Sequence, residues 1–246
     1  MAEALLTKDP ENLKEVISVG YSKLFDQQWP MWVGGLLFGF INVFMFAFEK
    51  AWSVADGVRN WGNWFFNNVE ITDITIINPH LYSTSILNFG IIAGALASAL
   101  LAKQFQIRNA PSRELYKAVV GGILMGIGSS MSFGCNIGGF FSSISALSMA
   151  GVAMMGGLLI GTFIGLKILV WEITYWSPAP TASKNVSGRN NKTNQPIIGI
   201  SIIILGILLA LVYDNLDYSI RGGFLFFGLV LGIIMQRTRF CFVRAF

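Results

Sequence analysis

Charge is what this sequence has least of. Lys, Arg, Asp and Glu make up 12% of its 246 residues, about half the roughly 25% of a typical soluble domain, which excludes an ordinary soluble globule. His80 is the one histidine, and Cys135 and Cys241 are the two cysteines. A structural zinc site takes about four ligands, so no metal or other cofactor is expected. The cysteines form no C-x-x-C pair. The first twenty residues, "MAEALLTKDPENLKEVISVG", lack a basic segment followed by an apolar one, so no cleavable signal peptide is expected. The net charge of +4 is dispersed over short loops, which argues against a nucleic-acid partner.

Apolar residues fill the space that charge leaves. The chain is 54% hydrophobic with a mean hydropathy of +0.61. Uncharged runs at 31–48, 86–102, 118–166, 197–213 and 222–236 include several of the roughly 17–25 residues that cross a hydrocarbon core. The fold class is therefore an all-α integral membrane protein: a polytopic helical bundle with repeated units and broken or re-entrant short helices that carry cysteines. Its first partner is the lipid bilayer. Basic residues gather at 103–117 (Lys103, Arg108, Arg113, Lys117), at 172–196 (Lys184, Arg189, Lys192) and at the C-terminus (Arg237, Arg239, Arg244). The positive-inside rule puts these stretches in the cytoplasm and the tryptophan-rich loop 49–80 outside.

Four segments follow. Residues 1–29 form an amphipathic or interfacial arm, with Leu13, Val16, Ile17, Tyr21 and Leu24 at helical spacing. Residues 30–176 form a first membrane unit with spans near 31–48, 86–102, 118–134 and 151–171 and a short re-entrant helix near 137–148. The polar stretch 177–196 is a linker. Residues 197–246 open a second unit with spans near 197–213 and 222–236. The pattern GG-x-L-x-G occurs at 34–40, 121–127 and 156–162, and a shift of 106 residues lays Gly122 on Gly228, Gly126 on Gly232 and Cys135 on Cys241. Glycine-interrupted repeats build many transporters, although small-residue patterns also recur wherever membrane helices pack closely.

The chemistry concentrates in "SSMSFGCNIGGFF", residues 129–141. Non-helical backbone at membrane depth persists only where protein buries it or a wet cavity lines it. Gly134, Gly138 and Gly139 permit such a backbone. Ser129, Ser130, Ser132 and Asn136 are there to satisfy freed backbone groups or to donate to an anion. A helix that stops near Phe133, exposes Cys135 and restarts near Ile137 would point a partially positive N-terminus at the break. The competing role for Cys135 is that of a small buried hydrophobe. Cys241, in "RTRFCFVRAF", lies among Arg237, Arg239 and Arg244, which favour thiolate and draw in anions or simply anchor the chain on the inner side. A Cys135–Cys241 disulfide is the competing arrangement, set against a reducing cytoplasm. Asn42 is either helix–helix glue or pathway lining, and Lys167 snorkels or lines a pathway.

The segments "PSRELYKAVVGGILMGIGSSMSFGCNIGGFF" and "GLVLGIIMQRTRFCFVRAF" resemble the two signature segments of the YeeE/YedE sulphur-transport family of bacterial inner-membrane proteins. "PMWVGGLLFGF" and "VADGVRNWGNWF" resemble that family's N-terminal region. The resemblance implies repeated halves whose short helices bring cysteines to a central constriction, with Cys135 and Cys241 as two of them. It implies a non-enzymatic, multi-pass inner-membrane protein that takes up thiosulfate or a related sulphur anion. The pathway residues would be Cys135, Cys241, Asn136, Gly134, Ser132, Gly138 and Arg239. Alternatives are a selenium-compound transporter of the same family, a membrane thiol-transfer protein that hands sulphane sulphur to a small cytosolic carrier protein, and a non-transporting membrane subunit. The chain departs from the family pattern twice. Phe46, Ala47, Phe48 and Glu49 stand where a leading segment would carry a cysteine, and no further cysteine unit follows Cys241. The expectation is a fragment, or a second chain that completes the repeat.

Overall fold

The computed structural model describes residues 20, 21, 25, 28–71, 75–105, 112–132, 134–175 and 195–239. Among the described residues there are helices and no strands. This is the expected solution for an apolar chain that must satisfy every backbone group internally. In chain order the helices are α1 (Met31–Phe48), α2 (Val54–Asn68), α3 (Ser83–Leu101) and α4 (Ser112–Met131). They continue with α5 (Asn136–Ser145, its first seven residues π-wound), α6 (Met149–Tyr175), α7 (Gln195–Asn215) and α8 (Ser219–Thr238). Five of them are long and apolar enough to cross a membrane, and a sixth span arises if α4 and α5 count as one bent crossing. The protein is a multi-pass membrane protein.

Glycine sets the packing of the inner bundle. Gly90 and Gly94 of α3 face Gly228 and Leu229 of α8, and Gly232 faces Ile91 and Ala95. A Cβ on Gly90 would sit 2.7 Å from the Leu225 carbonyl oxygen. Only residues without a side chain let two helix backbones approach this closely. α7 joins the pair through Gly199, whose Cβ would lie 2.9 Å from the Ala97 carbonyl, and through Gly206 on the Leu229 side chain. α1 closes the other flank, with Gly34 against Thr238 and Phe48 over Gly223.

The stretch 49–80, expected as a loop, contains α2. Its buried positions are Gly57 and Asn60, while Trp64, Phe65 and Phe66 are exposed. The helix thus presents a small polar face to α3. Ser85 Oγ donates to Asn60 Oδ1 at 2.9 Å, Asn60 Nδ2 donates to the Ile77 carbonyl at 3.0 Å, and Asn88 Nδ2 donates to the Val54 carbonyl at 2.9 Å. A search for long uncharged runs passes over such an element, because its helical signal lies in spacing and not in apolarity.

α4 and α6 differ from the inner bundle. An ion pair between Lys117 and Glu172 joins them at one end, and Gly151 of α6 abuts Ile144 of α5 at the other. None of the most apolar window of α6 is buried, against 61% of that of α3.

Candidate functional site: a helix break at Cys135

α4 ends at Met131 and α5 begins at Asn136, with the two axes bent by 44°. A bend of this kind fits either form expected here, a broken span or a re-entrant loop. The 27 residues of α6 cover about 40 Å.

The broken backbone is satisfied locally. Ser132 Oγ lies 2.9 Å from the Gly128 carbonyl oxygen and 2.8 Å from that of Gly134, so its one proton serves either side of the break. Gly134 N–H donates to the Ser129 carbonyl at 3.1 Å, and Gly139 N–H to the Cys135 carbonyl at 2.7 Å. Gly134 is buried because the chain turns on itself there: its Cβ would meet Gly139 N at 2.7 Å.

Cys135 is the N-cap of α5, with extended backbone angles (φ −85°, ψ 178°) and no side-chain capping bond. It is a free thiol, half-buried. It packs on a cluster that includes Phe38, Met45, Trp52, Leu87 and Ile137. Asn136 and Gly138 follow it in the first turn, both half-buried. Gly138 lets α5 approach α2, since a Cβ there would stand 3.0 Å from Ser53 Oγ.

Asn42 of α1 holds the far end of α5. Its Nδ2 donates to Ser145 Oγ at 3.0 Å, and its Oδ1 accepts from Ser142 Oγ at 3.4 Å. Asn42 is 2% and Ser142 3% exposed. Of the two roles open to Asn42, the structure shows the packing one: it fastens the broken helix to the first span. Asn42→Leu would strand the buried Ser142 hydroxyl, and the expected cost is about 1–3 kcal/mol. Thermal unfolding of the detergent-solubilised variant measures this, and an unchanged midpoint would refute it.

The structure brings Ser132, Gly134, Cys135, Asn136 and Gly138 together. Arg239 lies elsewhere. It ends α8 in the left-handed region (φ 50°), where Thr238 packs on Gly34, about two turns of α1 from Asn42. Its guanidinium faces the Gln28 side chain, at 2.9 and 3.2 Å from the oxygen with the amide oriented to accept. Cys241 lies outside the described residues, as do most of the N-terminal arm and the linker 177–196. Lys167 is exposed on α6, with Nζ 4.8 Å from the centre of the Phe163 ring. His80 is exposed, and its carbonyl accepts from the Tyr213 hydroxyl at 3.0 Å. Among the described residues no group of three or more His, Cys, Asp or Glu side chains is placed to hold a metal ion.

Comparison with known proteins then decides the family. The sulphur-transport family profile matches residues 3–164, well over half of the chain. The chain belongs to the sulphur-transport family. It is 26% identical over 200 residues to the probable transporter YedE of Salmonella typhimurium, an alignment covering 76% of this chain and 46% of that protein. It is 26% identical over 117 residues to the thiosulfate transporter TsuA of Escherichia coli, covering 47% of this chain and 32% of that one. Over 62 residues it is 40% identical to the thiosulfate transporter TsuA of Spirochaeta thermophila, covering 25% and 19%. The aligned part thus spans about half the length of the YedE relative. No solved structure gives a significant match. These bacterial transporter relatives and the apolar helices make it a multi-pass bacterial membrane protein of a transporter family.

Proposed function

We propose that the chain carries thiosulfate or a related sulphur-containing anion inward across the bacterial plasma membrane, past Cys135 and Cys241. One observation supports this most: a free, half-buried thiol caps a helix that restarts at a break in a span. A helix start favours negative charge, and a thiol offers a soft, uncharged contact to a terminal sulphur atom. Successive weak contacts suit passage, because conduction needs binding loose enough to release. The mechanism is contact without covalent transfer. Arg239, at the Gly34 end of α1, would attract the anion at the inner mouth.

A second chain completes the pathway in this reading. Gly228 and Gly232 of α8 pack on α3, whereas Gly122 and Gly126, their equivalents at the 106-residue shift, have nothing within 4 Å of a built Cβ. Gly156, Gly157, Gly161 and Gly165 of α6 are equally open. In membrane helices such glycines mark close helix contacts.

The test is thiosulfate-dependent growth and radiolabelled sulphur uptake in a bacterium lacking its own thiosulfate importers. The expected result is uptake that requires the chain, competes with unlabelled thiosulfate more strongly than with selenite, and leaves no persulfide on either cysteine by mass spectrometry. Stoichiometric persulfide would instead favour thiol transfer. Absence of uptake from a well-inserted chain would overturn the transport reading.

A further inference from the structure

The proposed pathway has a thiol and a helix start at Cys135, and the oxygen end of its anion calls for further donors facing them. The segment between α1 and α2 supplies such donors. It turns back into the bundle, so that the Val54 carbonyl, at the first residue of α2, accepts from Asn88 in α3. The 15-residue helix α2 therefore starts against α3, with Ser53 and its first three residues half-buried. Its cap, Ser53, makes no side-chain capping bond, and the first N–H groups of any helix lack intrahelical acceptors. The only acidic residue in its first turn, Asp56, is paired with Arg59 at 3.1 Å.

A second observation comes from Trp52, the residue before that cap. It is 1% exposed, and its ring stacks on Phe38 with centroids 6.0 Å apart and planes 11° apart. It belongs to the buried cluster that contains Ile137 and on which Cys135 packs. Its indole Nε1–H is buried without a hydrogen-bond acceptor. Buried indole N–H groups usually find a partner, so an orphan here calls for an acceptor. Ser53 meets α5 at Gly138, three residues after Cys135, where a Cβ would lie 3.0 Å from Ser53 Oγ.

We propose that Trp52 Nε1–H, the Ser53 hydroxyl and the opening N–H groups of α2 form an oxyanion subsite beside Cys135. It takes the oxygen end of an anion that carries both sulphonate-like oxygens and a soft terminal sulphur, while the thiol meets the sulphur. The donors are neutral, so the subsite places no full positive charge at membrane depth. Selectivity follows: an anion needs both ends to engage both contacts. This inference rests on the transport reading, whose cysteine contact it extends.

Alkylation of Cys135 by N-ethylmaleimide, followed by peptide mass spectrometry with increasing thiosulfate, separates the two ideas. In the wild-type chain thiosulfate is expected to slow Cys135 alkylation. Trp52→Phe keeps an aromatic ring against Phe38 and removes the indole donor together with one ring. Measured against its own rate without thiosulfate, it should raise the half-protecting concentration by about tenfold, the loss expected for one hydrogen bond to an anion. Trp32→Phe, at a position 68% exposed, should match the wild type. Equal protection in Trp52→Phe and wild type would overturn the subsite while leaving the cysteine pathway standing. No protection in the wild type would overturn both.

Discussion

Cys135→Ser is expected to lower thiosulfate uptake by more than about tenfold, the loss of one favourable contact at the constriction, with insertion and thermal stability retained. The position explains why the two readouts separate. Cys135 caps α5 in an extended conformation and makes no capping bond. Serine is among the preferred N-cap residues, because its oxygen accepts from the first turn. The substitution therefore supports the helix start while replacing a soft, polarisable sulphur by a hard hydroxyl. Volume changes little at a half-buried site. A variant that melts like the wild type and no longer imports would assign the loss to sulphur chemistry. Uptake indistinguishable from wild type at matched membrane levels would remove Cys135 from the pathway.

The break itself was legible in the sequence because its residues are costly at membrane depth. Three glycines, three serines and an asparagine within 129–141 announce a backbone that leaves the helix and must be satisfied from nearby, and the Ser132, Gly134 and Gly139 bonds do that. The long helices were legible for a similar reason, since an uncharged run in lipid has one economical conformation. α2 was not legible. Its buried face is Gly57 and Asn60, and three of its four aromatic residues, Trp64, Phe65 and Phe66, are exposed, the reverse of the apolar stripe that marks a helix on a soluble core. Missing α2 also hid Trp52 and Ser53, because nothing local to them indicates that the chain turns back into the bundle. The partner of Asn42 was equally hidden: Ser142 and Ser145 are about a hundred residues away, and a lone intramembrane asparagine does not name its partner.

Glycine carries a different kind of information in the two parts of the protein, and a matched pair of substitutions reads it out. A methyl group on Gly228 would strike the Leu87 carbonyl and approach Gly90 Cα to 3.0 Å and Ile91 N to 3.1 Å. All three are backbone atoms of α3, so no side-chain movement relieves the contact, and the helices must part. Overpacking of this kind costs about 1–3 kcal/mol or more, against roughly 1 kcal/mol gained from the higher helix propensity of alanine. Gly228→Ala is therefore expected to lower the unfolding midpoint and the yield of monodisperse protein in detergent. Gly161→Ala meets nothing within 4 Å and keeps only the propensity gain, so its midpoint should equal or exceed that of the wild type. The larger Gly161→Leu then tests what covers α6. If a second copy packs there, the wild type will run in mild detergent at twice the mass of the chain, and Gly161→Leu will shift it to the single-chain mass without unfolding it. A monomeric wild type that still imports thiosulfate would show that α6 faces lipid and that one copy of the chain suffices.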